Sequence, residues 1–308
     1  MHPWCGTASP LAHADGAVST GAVDGDPGDQ GGGAGPDPFV VERPGAKLAG
    51  ERWGDGRRGD GPCVVALHEG VADRRSWRPV ARQVAHRATV IAYDRRGFGE
   101  TPPSAQPFSH VDDLLAVLDA VASDPVWLAG TSAGAGVALD AAIVAPDRVA
   151  GLLLLAPGVS GAPMPELDPD TARLDHLLDE ASAAGDLEEV NRLETWLWLD
   201  GPSQPEGRVG GATRALALEM NGIVLANGVP EGAGGSGVDA WSRASEVTVA
   251  AVVGYGNLDV PLFVDRCEEL GRRMPGAVVR RLEGVAHLSE LERPDAVAGL
   301  LVDLLGRG

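Results

Sequence analysis

Three residues far apart in the chain have the types needed for nucleophilic catalysis: Ser132, Asp259 and His287. A serine hydroxyl is a weak nucleophile near neutral pH. It needs a general base to take its proton and an acid to orient that base. Ser132 stands in "WLAGTSAGAGVALDAAIV" between Gly130 and Gly134, where a short apolar run gives way to a small-residue helical pattern. A nucleophile on such a strand-to-helix turn has a strained backbone, and bulky neighbours would strike the adjoining strands. The bland alternative is a tight turn with a capping serine. Asp259 in "GYGNLDVP" and His287 in "LEGVAHLSELERPDAV" each follow a later apolar run. They stand 28 residues apart, which is room for a helix and a strand to return the chain beside itself. Asp265 and Glu290 are weaker candidates for the acid, and the stretch "PGVSGAPMP", after an earlier strand, offers none until Glu166.

A carbonyl attacked by Ser132 gathers negative charge on its oxygen, and that charge needs donors already in place. The backbone N–H of Ala133, next after the serine at a helix start, is one candidate. The N–H of Gly70, in "LHEGVADRRSW", is the other. His68 in the same stretch reads as a loop support, since no second His or Cys stands at ligand spacing. No metal site and no cofactor is expected. Asp94, Arg95 and Arg96 in "YDRRGFGE" read as braces of a loop, and Trp77 as packing at a helix start. Asp140 reads as a helix-face or buried hydrogen-bonding residue, and the pair Arg57-Arg58 as part of a solvated turn.

The elements that position these residues follow from the apolar pattern. Residues 1–38 are rich in Gly, Asp and Pro, with too few large apolar groups to offset the entropy of ordering them, and read as a disordered tail. From Phe39 two short strands, "FVVE" and "KLAGERW", lead into buried-type strands ending at His68 and Tyr93. A helix near 111–123, a strand at 126–129, a helix at 133–145 and a strand at 151–156 continue the alternation. Buried apolar runs separated by helical patterns imply a parallel sheet covered on both faces. From about Val159 to Trp241 the patterns are helical only, and strands then resume at "VTVAAVVG", from Val247, and "AVVRRLEG" before a last helix at 295–304. The expected fold is α/β: a mostly parallel, doubly wound sheet with an inserted helical cap. The expected division is a tail over 1–38, a core over 39–158 and 243–308, and the cap over 159–242.

The chain of 308 residues carries 25 Lys and Arg against 44 Asp and Glu, a formal charge of -19. That charge repels phosphate backbones and anionic lipid surfaces, so neither nucleic acid nor membrane is an expected partner. Cys5, Cys63 and Cys267 are odd in number and far apart, which gives no disulfide framework and no paired metal ligands. With no secretory signal pattern and no apolar run of membrane-spanning length, a cytoplasmic location is expected. The expected partner is a small-molecule substrate, and the sequence permits a homodimer without specifying one.

Taken together, "LHEG", "DRRGFGET", "GTSAG", "GNLD" and "GVAH" resemble the α/β-hydrolase superfamily over about residues 39–158 and 243–308. The resemblance implies Ser-Asp-His hydrolytic machinery of the kind found in esterases, lactonases and C–C bond hydrolases. Glu69 stands where the family commonly has Gly after the oxyanion-loop His. Ala133 replaces the Met or Gln often found after the nucleophile, which disfavours perhydrolase chemistry. The leading expectation is a carboxylic ester or lactone hydrolase working through an acyl-enzyme. The alternatives are a C–C bond hydrolase with the same triad and a hydrolase-fold ligand receptor with slow turnover. For the substrate pocket, "LETWLWLDGP" contributes Trp196 and Trp198, the helix "LALEMNGIVL" contributes Met220, and Val71 and Leu288 flank the catalytic loops. These predict a mainly apolar pocket, suited to an aromatic or macrocyclic substrate.

Overall fold

The computed structural model of the protein describes residues 35–54, 61–122, 124–228, 230 and 232–307. Most of the predicted tail, Cys5 and the Arg57-Arg58 pair lie outside the described residues. The chain enters the sheet earlier than its composition suggests. Strand β1 (Asp37–Arg43) forms an antiparallel hairpin with β2 (Ala46–Trp53) and already pairs Pro38 with Glu51. The hairpin continues into β3 (Cys63–Leu67), α1 (Arg78–Val84), β4 (Thr89–Tyr93), a two-residue β5 (Phe108–Ser109), α2 (His110–Val121), β6 (Val126–Thr131), α3 (Ala133–Val144) and β7 (Val149–Leu155). Next come the helices α4 (Pro169–Ala184), α5 (Leu187–Thr195) and α6 (Gly211–Asn227), a two-residue β8 (Ala233–Gly234) and the short α7 (Ala240–Arg243). Strand β9 (Ala250–Gly256), α8 (Pro261–Arg273), β10 (Ala277–Leu282), α9 (Ser289–Glu292) and α10 (Pro294–Leu305) complete the chain.

Eight strands form one sheet in the order β1-β2-β4-β3-β6-β7-β9-β10. It is parallel from β4 to β10 and antiparallel at β1 and β2. Successive side chains on a strand point to opposite faces, so each run of buried residues feeds two cores. Val65, Leu67, Leu128, Leu152 and Leu154 pack against α2 and α3 on one face. Val64, Ala66, Ala129, Leu153 and Leu155 pack against α1 and α10 on the other. This explains why the strands read as continuous apolar runs rather than alternating ones.

The stretch between β7 and β9 departs from the sequence reading at both ends. Ala233 and Gly234 of β8 pair in parallel with Phe108 and Ser109, so the inserted region is not purely helical. The run "VTVAAVVG" begins before its strand does, because Val247 closes a turn of 3-10 helix and β9 starts at Ala250. Helix α4 starts at Pro169, with Asp168 accepting from the Asp170 and Thr171 amides, and ends at Gly185 in the left-handed region. Helix α5 runs without a break into a π-helical turn, Trp196–Asp200.

Candidate active site

Ser132 sits between β6 and α3 with φ 52° and ψ -116°, a conformation that non-glycine residues rarely adopt. Its amide donates to the Leu155 carbonyl (2.8 Å), and its carbonyl accepts from the Gly136 and Gly158 amides (3.0 and 2.9 Å). These three bonds hold the strained turn. The glycines beside it are required by close approach. A Cβ on Gly130 would lie 2.6 Å from the Ala135 nitrogen, and one on Gly134 would run into the Leu67 and His68 carbonyl oxygens. The second contact also fixes where the oxyanion-loop candidate lies: the loop after β3, with Gly70 at its exposed tip, adjoins the first turn of α3 where Ala133 stands.

His287 is buried in the loop after β10, and its Nδ1 lies 3.0 and 2.9 Å from the two carboxylate oxygens of Asp259, in the loop after β9. A carboxylate only accepts, so Nδ1 carries the proton and Nε2 the lone pair. Neighbouring bonds tie these two loops together. Leu258 donates to the Val285 carbonyl (2.9 Å) and Gly284 to Asn257 Oδ1 (2.6 Å). The imidazole packs against two rings that also touch each other, with Trp198 and Phe263 centroids each 4.6 Å away. The His287 amide donates to the Trp198 carbonyl (3.1 Å), so the π-helical turn is in direct contact with the histidine loop.

Two carboxyls that the chain places far apart meet beneath this arrangement. Glu69 and Glu290 are fully buried neighbours, and Oε1 of each lacks a hydrogen-bond partner. Burial and the neighbouring Glu290 charge push Glu69 well above the usual carboxyl range, and burial also raises Glu290. A proton on one of the two relieves the repulsion between them. Thr131, the residue before Ser132, donates through Oγ1 to Glu290 Oε2 (2.8 Å). The pair thus joins the Gly70 loop, the serine turn and the histidine loop.

The surrounding residues support the loops. His68 Nδ1 bonds to the Glu69 carbonyl (2.7 Å) and its Nε2 accepts from the Arg95 amide (3.1 Å), while burial keeps the ring neutral. Arg95 also donates to the His68 and Glu69 carbonyls. Asp94 accepts from the Arg74 and Glu100 amides, Arg96 pairs with Asp113, and Trp77 Nε1 donates to the Leu67 carbonyl. Asp140 accepts from Ser160 and Ser236.

A cavity of about 10 Å³ lies beside His287, with Val71, Trp198, Ala217 and Leu288 as its apolar wall and Glu194, Thr195 and Asn221 as its polar wall. Val71, Trp198 and Leu288 were expected there. Trp196 is not among the lining residues: Arg173 lies over its ring and its Nε1 donates to the Gln204 carbonyl. Met220 is fully buried beside Leu199 and Leu288 without reaching the cavity. The polar wall was missed, although a signal exists. Asn221 interrupts an otherwise apolar stripe one helical turn after Ala217, and Glu194 stands one turn before Trp198. Among the described residues no cluster of His, Cys, Asp and Glu could hold a metal ion, and no helix is long and apolar enough to cross a membrane.

A doubly wound sheet with a strained serine after a central strand and a carboxylate-bound histidine after the last one defines a class of hydrolases. The family model described as "Alpha/beta hydrolase family" matches residues 59–300, and the chain belongs to that family. It is 26% identical to the 2-hydroxy-6-oxo-6-phenylhexa-2,4-dienoate hydrolase of Burkholderia cepacia over 81% of this chain and 90% of that one. An uncharacterized hydrolase of Bacillus subtilis is 33% identical, but the match spans only 30% of this chain and 36% of the relative. The enol-lactonase of Burkholderia xenovorans LB400 superposes with a TM-score of 0.67 at 18% identity, covering 87% of this chain and all of that one, which shows the shared fold.

Proposed function

We propose that the protein hydrolyses a carboxylic ester or lactone through an acyl-enzyme. The observations that carry this reading are the strained Ser132 turn and a His287 whose Nδ1 is bound by Asp259. Ser132 Oγ attacks the carbonyl carbon while His287 Nε2 takes its proton. The oxyanion is met by the Ala133 N–H, where the α3 dipole adds favourable potential, and by the Gly70 N–H. His287 then returns the proton to the leaving alkoxide, which departs from an ester and stays attached to the acyl group in a lactone. Water, deprotonated by His287, attacks the acyl-enzyme and releases the acid and free Ser132. Asp259 orients the imidazole and stabilises its charged form.

The match to a C–C bond hydrolase along most of both chains favours one second reading, cleavage of a vinylogous diketone by the same three residues. Two assays separate the readings: release of p-nitrophenol from esters of increasing chain length, and loss of dienol absorbance from a ring-fission diketone. Ester turnover by the wild type, its disappearance in Ser132→Ala and labelling of Ser132 by a fluorophosphonate are the expected results. Unchanged turnover by a folded Ser132→Ala protein overturns the mechanism.

A further inference from the structure

The polar wall of the cavity beside His287 is built from the inserted helices. Asn191 Nδ2 donates to the Leu218 carbonyl (2.9 Å), which fixes the Asn191 amide with its Oδ1 toward α6. That oxygen accepts from Asn221 Nδ2 (3.0 Å), and the same nitrogen donates to Glu194 Oε2 (2.7 Å). Both donor hydrogens of Asn221 are thereby used, and the way its amide faces is set. Its Oδ1 has no partner, although the residue is only 2% exposed and lines the cavity. An unpaired buried amide oxygen is costly, and such groups call for an explanation.

We propose that Asn221 Oδ1 and the Glu194 carboxyl form a subsite for a hydroxyl group of the substrate, remote from the carbonyl attacked by Ser132. The inference rests on the ester hydrolase reading and names the kind of substrate that reading leaves open. Three observations select a hydroxyl. The free amide oxygen needs a hydrogen-bond donor, which excludes carboxylate and phosphate groups. Burial pushes the Glu194 carboxyl above the usual range, which favours the form carrying an O–H. A hydroxyl suits both groups, donating to Asn221 and accepting from that O–H. The cavity, at about 10 Å³, matches one water-sized oxygen and is too small for a ring or a branched group. Val71, Trp198 and Leu288 form the apolar side of the same cavity, and Trp198 packs on His287.

The test compares p-nitrophenyl ω-hydroxyalkanoates from butanoate to octanoate with alkanoates in which a methyl replaces the hydroxyl. At one chain length the wild type should favour the hydroxylated ester by at least about tenfold in kcat/KM, because the methyl leaves Asn221 and Glu194 unpaired. Asn221→Leu should bring that ratio to about one. Turnover of both series by the wild type with no preference at any length overturns the subsite and leaves the hydrolase reading standing. No turnover of either series, with no fluorophosphonate labelling of Ser132, overturns the hydrolase reading and this inference together. The wild-type comparison decides the matter even if Asn221→Leu does not fold.

Discussion

Glu69 takes the place of the glycine common in this family, and its buried carboxyl adjoins that of Glu290. If Glu69 carries the proton that relieves the pair, a neutral amide should replace it well. Glu69→Gln keeps a donor for Glu290 and an acceptor for Ser76, whose Oγ lies 3.4 Å from Glu69 Oε2. Its urea midpoint should stay near wild type. Glu69→Leu leaves a buried carboxyl facing an apolar group and should cost about 2–4 kcal/mol in the same measurement. Equal losses in both variants would show that the proton is not where this assignment puts it. The catalytic assignment makes its own prediction at this scale. Asp259→Asn should lower kcat by about 10³–10⁴-fold with little change in stability, since the amide favours the wrong imidazole tautomer. A kcat close to wild type would place the orienting acid elsewhere.

At the scale of elements, the π-helical turn after α5 separates the two tryptophans that the sequence sets side by side. Trp198 packs on His287 and Phe263, whereas Trp196 lies under Arg173 and bonds to Gln204. Trp198→Ala should therefore alter kcat/KM, and more for bulky apolar esters than for acetates. Trp196→Ala should lower Tm by a few degrees and affect both classes of ester alike. The reverse pattern would reassign the pair. The strands and the serine turn are legible in the sequence because buried parallel strands and a Gly-x-Ser-x-Gly turn are local patterns. The pairing of β5 with β8 is not, since two residues on each side carry no periodicity. The late start of β9 is hidden for a similar reason: Val247 to Val249 are apolar enough for a strand, and only the preceding turn holds them out of the sheet. The Glu69–Glu290 pair and the polar wall depend on contacts between distant segments, which no local pattern records.

For the whole molecule, several acids are held above their usual range by burial. Glu292 is pushed up to about 7 and Asp94 to about 6, and Glu69, Glu290, Glu194 and Asp140 are raised as well. A carboxyl whose folded pKa is raised binds its proton more tightly in the native state than in the unfolded one. Its contribution is full below the unfolded value and is lost as pH climbs through the folded one. Tm should therefore fall by several degrees between about pH 5 and about pH 7.5, with the -19 formal charge adding to the decline. A flat or rising Tm across that window in a calorimetric series would contradict the burial argument.

The cavity beside His287 also has a consequence for binding. At about 10 Å³ it accepts a hydroxyl oxygen but not the chain that carries it. If that cavity holds a substrate hydroxyl, the chain behind it enters only through a form in which α5 and α6 stand away from Val71 and Leu288. Apparent affinity is then the intrinsic affinity multiplied by the population of that form: if about one molecule in a hundred is open, binding is weakened a hundredfold before any contact is made. Slow, saturable entry would result even for a well-matched ester, and speed would be gained by loosening the insertion rather than by changing Ser132.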